Sequence, residues 1–278
     1  TNPEEAMFIE AGPTASRSGD THKQLLICLV CTLLLAYLFI GWESTSWIVA
    51  MDQAFFSTFG LITQKSWAMD TLIVQMFRTN TAKIVPLLGC IVWLLFEWRR
   101  QGRSLVFFAQ LLLGSFLAMS LSRVMQNFSS YRPRPLHNES VDYQLPFGID
   151  NAALEGWSSF PSDTSALAFA IATGIFLASR RLGIEAFLWV AVVVAFPRAY
   201  AGLHYPSDLI AGALIGLFCT AGAAPLILNA AASRVRLTVD EKWMPLLWTL
   251  GFLYMFQLGA MFDDVRAYGS FLKEVLRF

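Results

Sequence analysis

Charge is what this chain has little of: Asp, Glu, Lys and Arg make up 14% of 278 residues, and the two signs balance to a formal net charge of zero. That balance gives no ground for a nucleic-acid or acidic partner, so only the placement of charge along the chain carries information. Histidine is scarcer still. His22, His137 and His204 fall in separate segments with no carboxylate cluster beside them, which argues against a metal site, and no cofactor is expected. The four cysteines, Cys28, Cys31, Cys90 and Cys219, all lie in apolar runs, so Cys28-x-x-Cys31 reads as two small hydrophobes rather than a redox or metal pair. Thr1 to Lys23 has neither the basic stub nor the apolar core of a cleavable signal, carrying Pro3, Glu4, Glu5, Pro13 and Asp20 instead. The first apolar run is therefore expected to do the targeting.

What the chain has in abundance is apolar sequence, 56% of all positions. Crossing about 30 Å of hydrocarbon takes ~20 apolar residues in a helix. Seven runs approach that length, at 24–42, 82–98, 104–122, 163–179, 183–198, 207–229 and 243–261, the second and fifth being short at about 16 residues. The expected fold is an all-α polytopic membrane bundle. Arg99, Arg100 and Arg103 follow the second run, Arg180 and Arg181 the fourth, and Arg234, Arg236 and Lys242 the sixth. The positive-inside rule makes these loops and the N-terminal segment 1–23 cytoplasmic. Segments 43–81, 123–162 and 199–206 then lie outside with the C-terminal tail, although 123–162 carries Arg123, Arg132, Arg134 and His137, and His204 sits beside Arg198. Basic residues against the bias need another reason, and anion binding supplies one. In 43–81, Ile48, Phe55, Phe56, Phe59 and Ile62 fit a helix lying in the interface, either as packing alone or as a cover for a site. The tail 262–278 has the same mixed character.

Three segments carry chemistry. In Arg198-Ala-Tyr-Ala-Gly-Leu-His204-Tyr-Pro-Ser-Asp208, a carboxylate stands one helical turn from a histidine, where it can fix the tautomer and stabilise the cation, with an arginine nearby to hold an anion. In Asn127-Phe-Ser-Ser-Tyr-Arg132-Pro-Arg134-Pro135, prolines stiffen an extended turn that can aim guanidinium groups at phosphate, although an arginine cluster touching lipid headgroups has the same composition. Ser159-Phe-Pro-Ser162-Asp163-Thr164-Ser165 opens the fourth run, where free N–H groups and the helix dipole suit an anion; the same residues also serve as an ordinary cap. All three fall at the outer ends of expected spans, so helix packing can bring Arg134, Ser162, Arg198 and His204 to one depth.

In these segments the chain resembles the type 2 phosphatidic acid phosphatases, or lipid phosphate phosphatases, whose motifs read K-x6-R-P, P-S-G-H and S-R-x5-H-x3-D. The third corresponds to Pro197-Arg198, five residues, His204, three residues, Asp208; the second to Pro161-Ser162-Asp163-Thr164; the first to Asn127, six residues, Arg134-Pro135. The resemblance covers about residues 24–229 and implies a six-helix phosphatase-like core, with the seventh run and tail, 230–278, as an addition. It implies His204 as nucleophile through a phosphohistidine, Asp208 as its orienter, and Arg134, Arg198 and Ser162 as the phosphate clamp. Three positions depart: Asn127 stands at the phosphate-binding Lys, Pro197 at the Ser, and Thr164 at the histidine that protonates the leaving group. Taking Arg132 as the motif arginine would put Met125 at the Lys position. Asp163 and His137 are the alternative proton sources.

The expected function is that of an integral membrane phosphatase or phosphotransferase acting on a lipid phosphate or diphosphate at the outer face of a bacterial inner membrane. The alternative is a degenerate relative serving as a lipid-binding or structural subunit with protein partners in a membrane complex. A vanadate peroxidase is disfavoured, since such relatives are soluble. Asn-x-Ser sequons at Asn127 and Asn138 would matter only in a secretory pathway.

Overall fold

A computed structural model describes residues 17–44, 46–102, 106–150, 152, 154–234 and 244–262. The expected segment 1–16, the tail 263–278, the turn residue Asn151 and the basic residues Arg103, Arg236 and Lys242 lie outside the described residues.

The structure is an all-helical membrane bundle. Helix α1 (Arg17–Ser44) is followed by α2 (Ser46–Gly60), α3 (Trp67–Arg78), α4 (Asn80–Arg100), α5 (Val106–Phe128) and α6 (Asp163–Ala178). One rod then comprises α7 (Arg180–Trp189), a π-helical stretch (Val190–Ala195) and α8 (Phe196–Tyr200). A second comprises α9 (Pro206–Leu217), another π-helical stretch (Phe218–Ala223) and α10 (Ala224–Arg234); α11 (Met244–Gly259) is the last. Five of these are long and apolar enough to cross a membrane: Asp20–Ile40, Asn80–Arg100, Val106–Phe128, Arg180–Tyr200 and Pro206–Ala231. The second and fifth runs, expected to be short, both extend to 21 residues because their polar ends, Asn80, Arg99 and Arg100 in one and Arg180 and Arg181 in the other, continue the helix beyond the apolar stretch.

Helix α6 is the axis of the bundle. Its 16 residues are short for a span, yet nearly every position from Asp163 to Ile175 is buried, so neighbouring helices and not lipid surround it. Small residues permit this. Gly212 and Gly216 on α9 face α6 so closely that an added Cβ would stand 2.5 Å from the Ser162 carbonyl oxygen and 2.6 Å from the Ala170 nitrogen. Gly114 on α5 likewise rests on Thr220 in the second π-helical stretch, and Gln110 Nε2 donates to the Thr220 carbonyl at 2.8 Å, giving a partner to a backbone group in the irregular turn. Helix α11 docks through Leu258 and Met261 in the core shared by α4, α5 and α6, and through Tyr254, whose hydroxyl is 3.1 Å from Ser115 Oγ.

Segment 43–81 is more than an interfacial cover. Helices α2 and α3 expose Trp47 and Trp67 as interface anchors would, yet they bury Ile48, Asp52, Phe56, Asp70 and Val74 against the bundle. Asp70 accepts from Tyr200 Oη at 2.6 Å and from the backbone N–H of Gln64 and Phe147 at 2.9 and 3.0 Å, stapling α3 and the long 129–162 loop to α8.

Because the atoms facing Gly212 are the Ser162 carbonyl oxygen, the Ser165 Cβ and the Ala166 nitrogen, overpacking there cannot be relieved by a rotamer change; such insertions cost about 1–3 kcal/mol. Gly212→Val should lower the apparent melting temperature in detergent by several degrees. Gly89→Ala, where a Cβ meets nothing within 4 Å, should leave it unchanged. Differential scanning fluorimetry of the purified variants checks both.

Candidate functional site

The site lies where α5 ends, α6 begins and the two rods meet. Three backbone bonds hold these segments in register: Ser159 N to Arg132 O at 2.8 Å, Leu136 N to Gly202 O at 2.9 Å, and Ser162 N to Asp208 O at 3.2 Å. Gly202, at φ +69°, supplies the left-handed turn that sends the chain from α8 back into α9.

His204 is almost wholly buried. Its Nδ1 lies 2.8 Å from the Ser159 carbonyl oxygen, an acceptor, so Nδ1 carries the proton and donates, and Nε2 carries the lone pair. That Nε2 faces Arg134 Nη1 at 3.2 Å. Arg134 is fixed by Nη1 to the Leu203 carbonyl at 2.7 Å and Nη2 to the Ser158 carbonyl at 3.3 Å, while its buried Nε has no hydrogen-bond partner among the described residues. An anion held by Arg134 therefore sits at the lone pair of His204.

Asp208 does not orient His204 by a direct hydrogen bond, as the sequence led us to expect. Its Oδ2 stands 3.7 Å from Nδ1 and instead accepts from Ser159 Oγ and from the Tyr205 N–H at 2.8 Å, while Oδ1 accepts from Arg132 Nη1. The shared anchor is Ser159, whose carbonyl holds the imidazole and whose hydroxyl holds the carboxylate. Arg132 in turn donates Nη2 to Asp52 of α2 at 2.8 Å and Nη1 to Ser207 Oγ at 2.9 Å, with its guanidinium 4.0 Å above the Tyr205 ring. Ser207 completes the cluster, donating its N–H and Oγ–H to Asp52 at 3.0 and 2.6 Å.

Of the other expected residues, Arg198 on α8 is half-buried and near enough to His204 to disfavour its cation. Ser162 is fully buried and caps α6, its Oγ accepting from Ser165 N at 3.4 Å, so the capping role is realised. Thr164 is buried and its hydroxyl donates to Asp163 Oδ1 at 3.3 Å. Asp163, one of the two alternative proton sources, pairs with Arg123 at 2.8 Å, an arrangement that disfavours that use. Asn127 is exposed at the end of α5 and makes none of these contacts. The helix turns Arg123 and Gln126 toward the start of α6 instead, Gln126 Nε2 donating to the Pro161 carbonyl at 2.6 Å. His137 closes the short helical turn Pro135–His137, its N–H donating to the Arg134 carbonyl at 2.9 Å. Asp52, Ser159 and Ser207 had no assigned role in the sequence. The only signal for Asp52 was a lone acid in the apolar stretch Ile-Val-Ala-Met-Asp-Gln-Ala-Phe-Phe.

Burial first, and then the Arg134 guanidinium, push the His204 imidazole down to about 4, with Asp208 opposing them. A pKa lowered from the ordinary value of about 6.5 leaves the ring neutral, and its lone pair available, throughout the neutral and mildly acid range. In protein labelled with [13C]histidine and assigned by His204→Asn, the His204 ring resonance should hold still between pH 7.5 and 5.5.

Residues 108–232 match the family described as the PAP2 superfamily. The chain is 31% identical over 134 residues to the bacitracin transport permease protein BcrC of Bacillus licheniformis, covering 47% of this chain and 59% of that one. It is 38% identical over 89 residues to the lipid A 4'-phosphatase of Bacteroides thetaiotaomicron, covering 31% and 39%. It is 30% identical over 135 residues to the putative undecaprenyl-diphosphatase YbjG of Escherichia coli K12, covering 48% and 62%. The chain thus spans about half the length of these relatives. The matched segment, 108–232, encloses Arg134, Ser162, Arg198, His204 and Asp208.

Proposed function

We propose that this protein is a membrane phosphatase acting on a lipid-linked phosphate or diphosphate through a phosphohistidine at His204. The observation that carries the reading is the pairing of a neutral, tautomer-fixed imidazole with a guanidinium 3.2 Å from its reactive nitrogen. Nε2 attacks phosphorus, the bond from phosphorus to the leaving oxygen breaks, and that oxygen departs with the electron pair. The ring, still protonated at Nδ1, becomes a cation facing the Ser159 carbonyl and the Asp208 carboxylate. Water then attacks the phosphohistidine, inorganic phosphate leaves, and neutral His204 returns. Arg134, with Arg198 and the start of α6 at Ser162, holds the phosphoryl oxygens.

With Thr164 where the family carries a histidine and Asp163 ion-paired with Arg123, neither of these two residues is suited to protonate an alkoxide. General acid catalysis is worth about 10²–10⁴-fold. A diphosphate releases an anion that needs little protonation, so a polyisoprenyl diphosphate fits this site better than a monoester. The names of the relatives include both an undecaprenyl-diphosphatase and a lipid A 4'-phosphatase, and a panel must hold both classes.

The orientation we favour puts the site at the outer face of a bacterial inner membrane with the N-terminus cytoplasmic. Arg99, Arg100, Arg180 and Arg181 are exposed at the helix ends opposite the site, as the positive-inside rule requires of cytoplasmic loops. Residues 24–229 would be the phosphatase unit, with α11 an addition packed on α4 and α5.

Phosphate release by the purified chain should be faster by tenfold or more, in kcat/KM, from an isoprenyl diphosphate than from the matching monophosphate. His204→Ala should abolish both. Thr164→His should raise monophosphate hydrolysis relative to diphosphate. Absence of any His204-dependent release across isoprenyl and glycerolipid substrates would sink the phosphatase and leave the lipid-binding or structural subunit as the role of this fold.

A further inference from the structure

Asp52 lies in α2, outside the segment 108–232 that matches the family, yet it meets the site at its centre. It is 2% exposed and accepts from three donors: Ser207 N–H at Oδ1, and Ser207 Oγ–H and Arg132 Nη2 at Oδ2. Donors on both oxygens suit an ionised carboxylate. Arg132, also buried, therefore faces two carboxylates, Asp52 and Asp208, with one positive charge between them. Paired with Asp208 alone, it would cancel that charge. With Asp52 present, the cluster keeps one net negative charge in a dry environment where charges act strongly on each other.

That surplus matters at His204. Asp208 is too far from Nδ1 for a direct hydrogen bond, so what it offers the ring is charge. The cations Arg134 and Arg198 face the same ring and oppose a positive imidazole, and the negative cluster of Asp52, Arg132 and Asp208 is what faces it from α2 and α9. We propose that Asp52 is a positioning residue acting through Arg132, holding the cluster at net negative charge so that the imidazolium formed on phosphorylation of His204 is stabilised. This rests on the phosphohistidine reading above.

Charge gives a signature that a merely structural role does not. Removing a negative charge makes the site more attractive to a resting anion and less able to support the cation formed in turnover, so binding and catalysis move in opposite directions. The purified full chain is titrated with tungstate, a tetrahedral phosphate mimic, by calorimetry, and turnover is followed on an isoprenyl diphosphate. Asp52→Asn is expected to tighten tungstate by about threefold or more and to lower kcat by about tenfold. Asp52→Glu, which keeps the charge, should hold tungstate affinity within about twofold of wild type. Should Asp52→Asn fail to fold by its melting curve, Asp52→Asn with Arg132→Gln restores the net charge of the cluster and should return tungstate affinity to the wild-type range. Affinity and kcat falling together, no change in either, or no tungstate binding by the wild type would overturn the proposal. A wild type that binds tungstate but shows no His204-dependent turnover would overturn the phosphohistidine reading instead, while the tungstate comparison would still decide whether the charge of Asp52 reaches the site.

Discussion

A guanidinium buried between two carboxylates is the constraint on which the rest of this structure hangs. Arg132 joins α2 to the start of α9 and gives both carboxylates an ion-pair partner. Removing one partner of such a buried pair typically costs about 3–5 kcal/mol, because the other charge is stranded. The chain delivers Arg132 from an extended stretch flanked by Pro133 and Pro135, whose rings forbid helix and fix the direction of travel. Residues two apart in extended backbone share a face, so the geometry that points Arg132 at Asp208 also points Arg134 at His204. One arginine is spent on architecture and its near neighbour faces the imidazole.

The same constraint explains how a site this polar is built at the end of an apolar bundle. Every group in it needs a partner, since unpaired polar groups away from water are costly. Ser159 serves two, Ser207 serves two, and Tyr205 offers its ring to Arg132 and its N–H to Asp208. Close packing of α9 on α6 through Gly212 and Gly216 sets the distances, because it brings Ser162 and Asp208 within reach of a backbone hydrogen bond. A bundle held apart by larger side chains would separate the two halves of the site.

Much of this was legible in the sequence for physical reasons. Apolar runs near span length, ended by arginines, announce membrane helices, and all seven runs coincide with helices. The i, i+4 spacing of His204 and Asp208 put both in one turn, although it could not show that the shortest bond to the ring comes from a backbone carbonyl. Side-chain patterns carry no information about carbonyls, which is why Ser159 escaped notice. Asp52 escaped because it lies 80 residues from Arg132 in sequence and sits in a helix whose aromatic content speaks of the interface. Spacing along a motif points to Asn127, but spacing does not say which way a helix turns; Arg123 and Gln126 are the residues that α5 presents to the start of α6.

The choice of a carbonyl over a carboxylate for the His204 bond has a chemical consequence. A carbonyl fixes the tautomer without adding charge, so burial and Arg134 can keep the resting ring neutral and nucleophilic. A carboxylate bonded directly to Nδ1 would raise the ring's basicity and invite protonation before substrate arrives. Negative charge reaches the ring at one remove, from Asp208 and the cluster it shares with Arg132 and Asp52, where it supports a cation on the ring. The proposed site is suited to attack more than to donating a proton to what leaves, since Thr164 donates to Asp163 and Asp163 is paired with Arg123. The diphosphate proposed above suits such a site, because its departing group already carries its own negative charge.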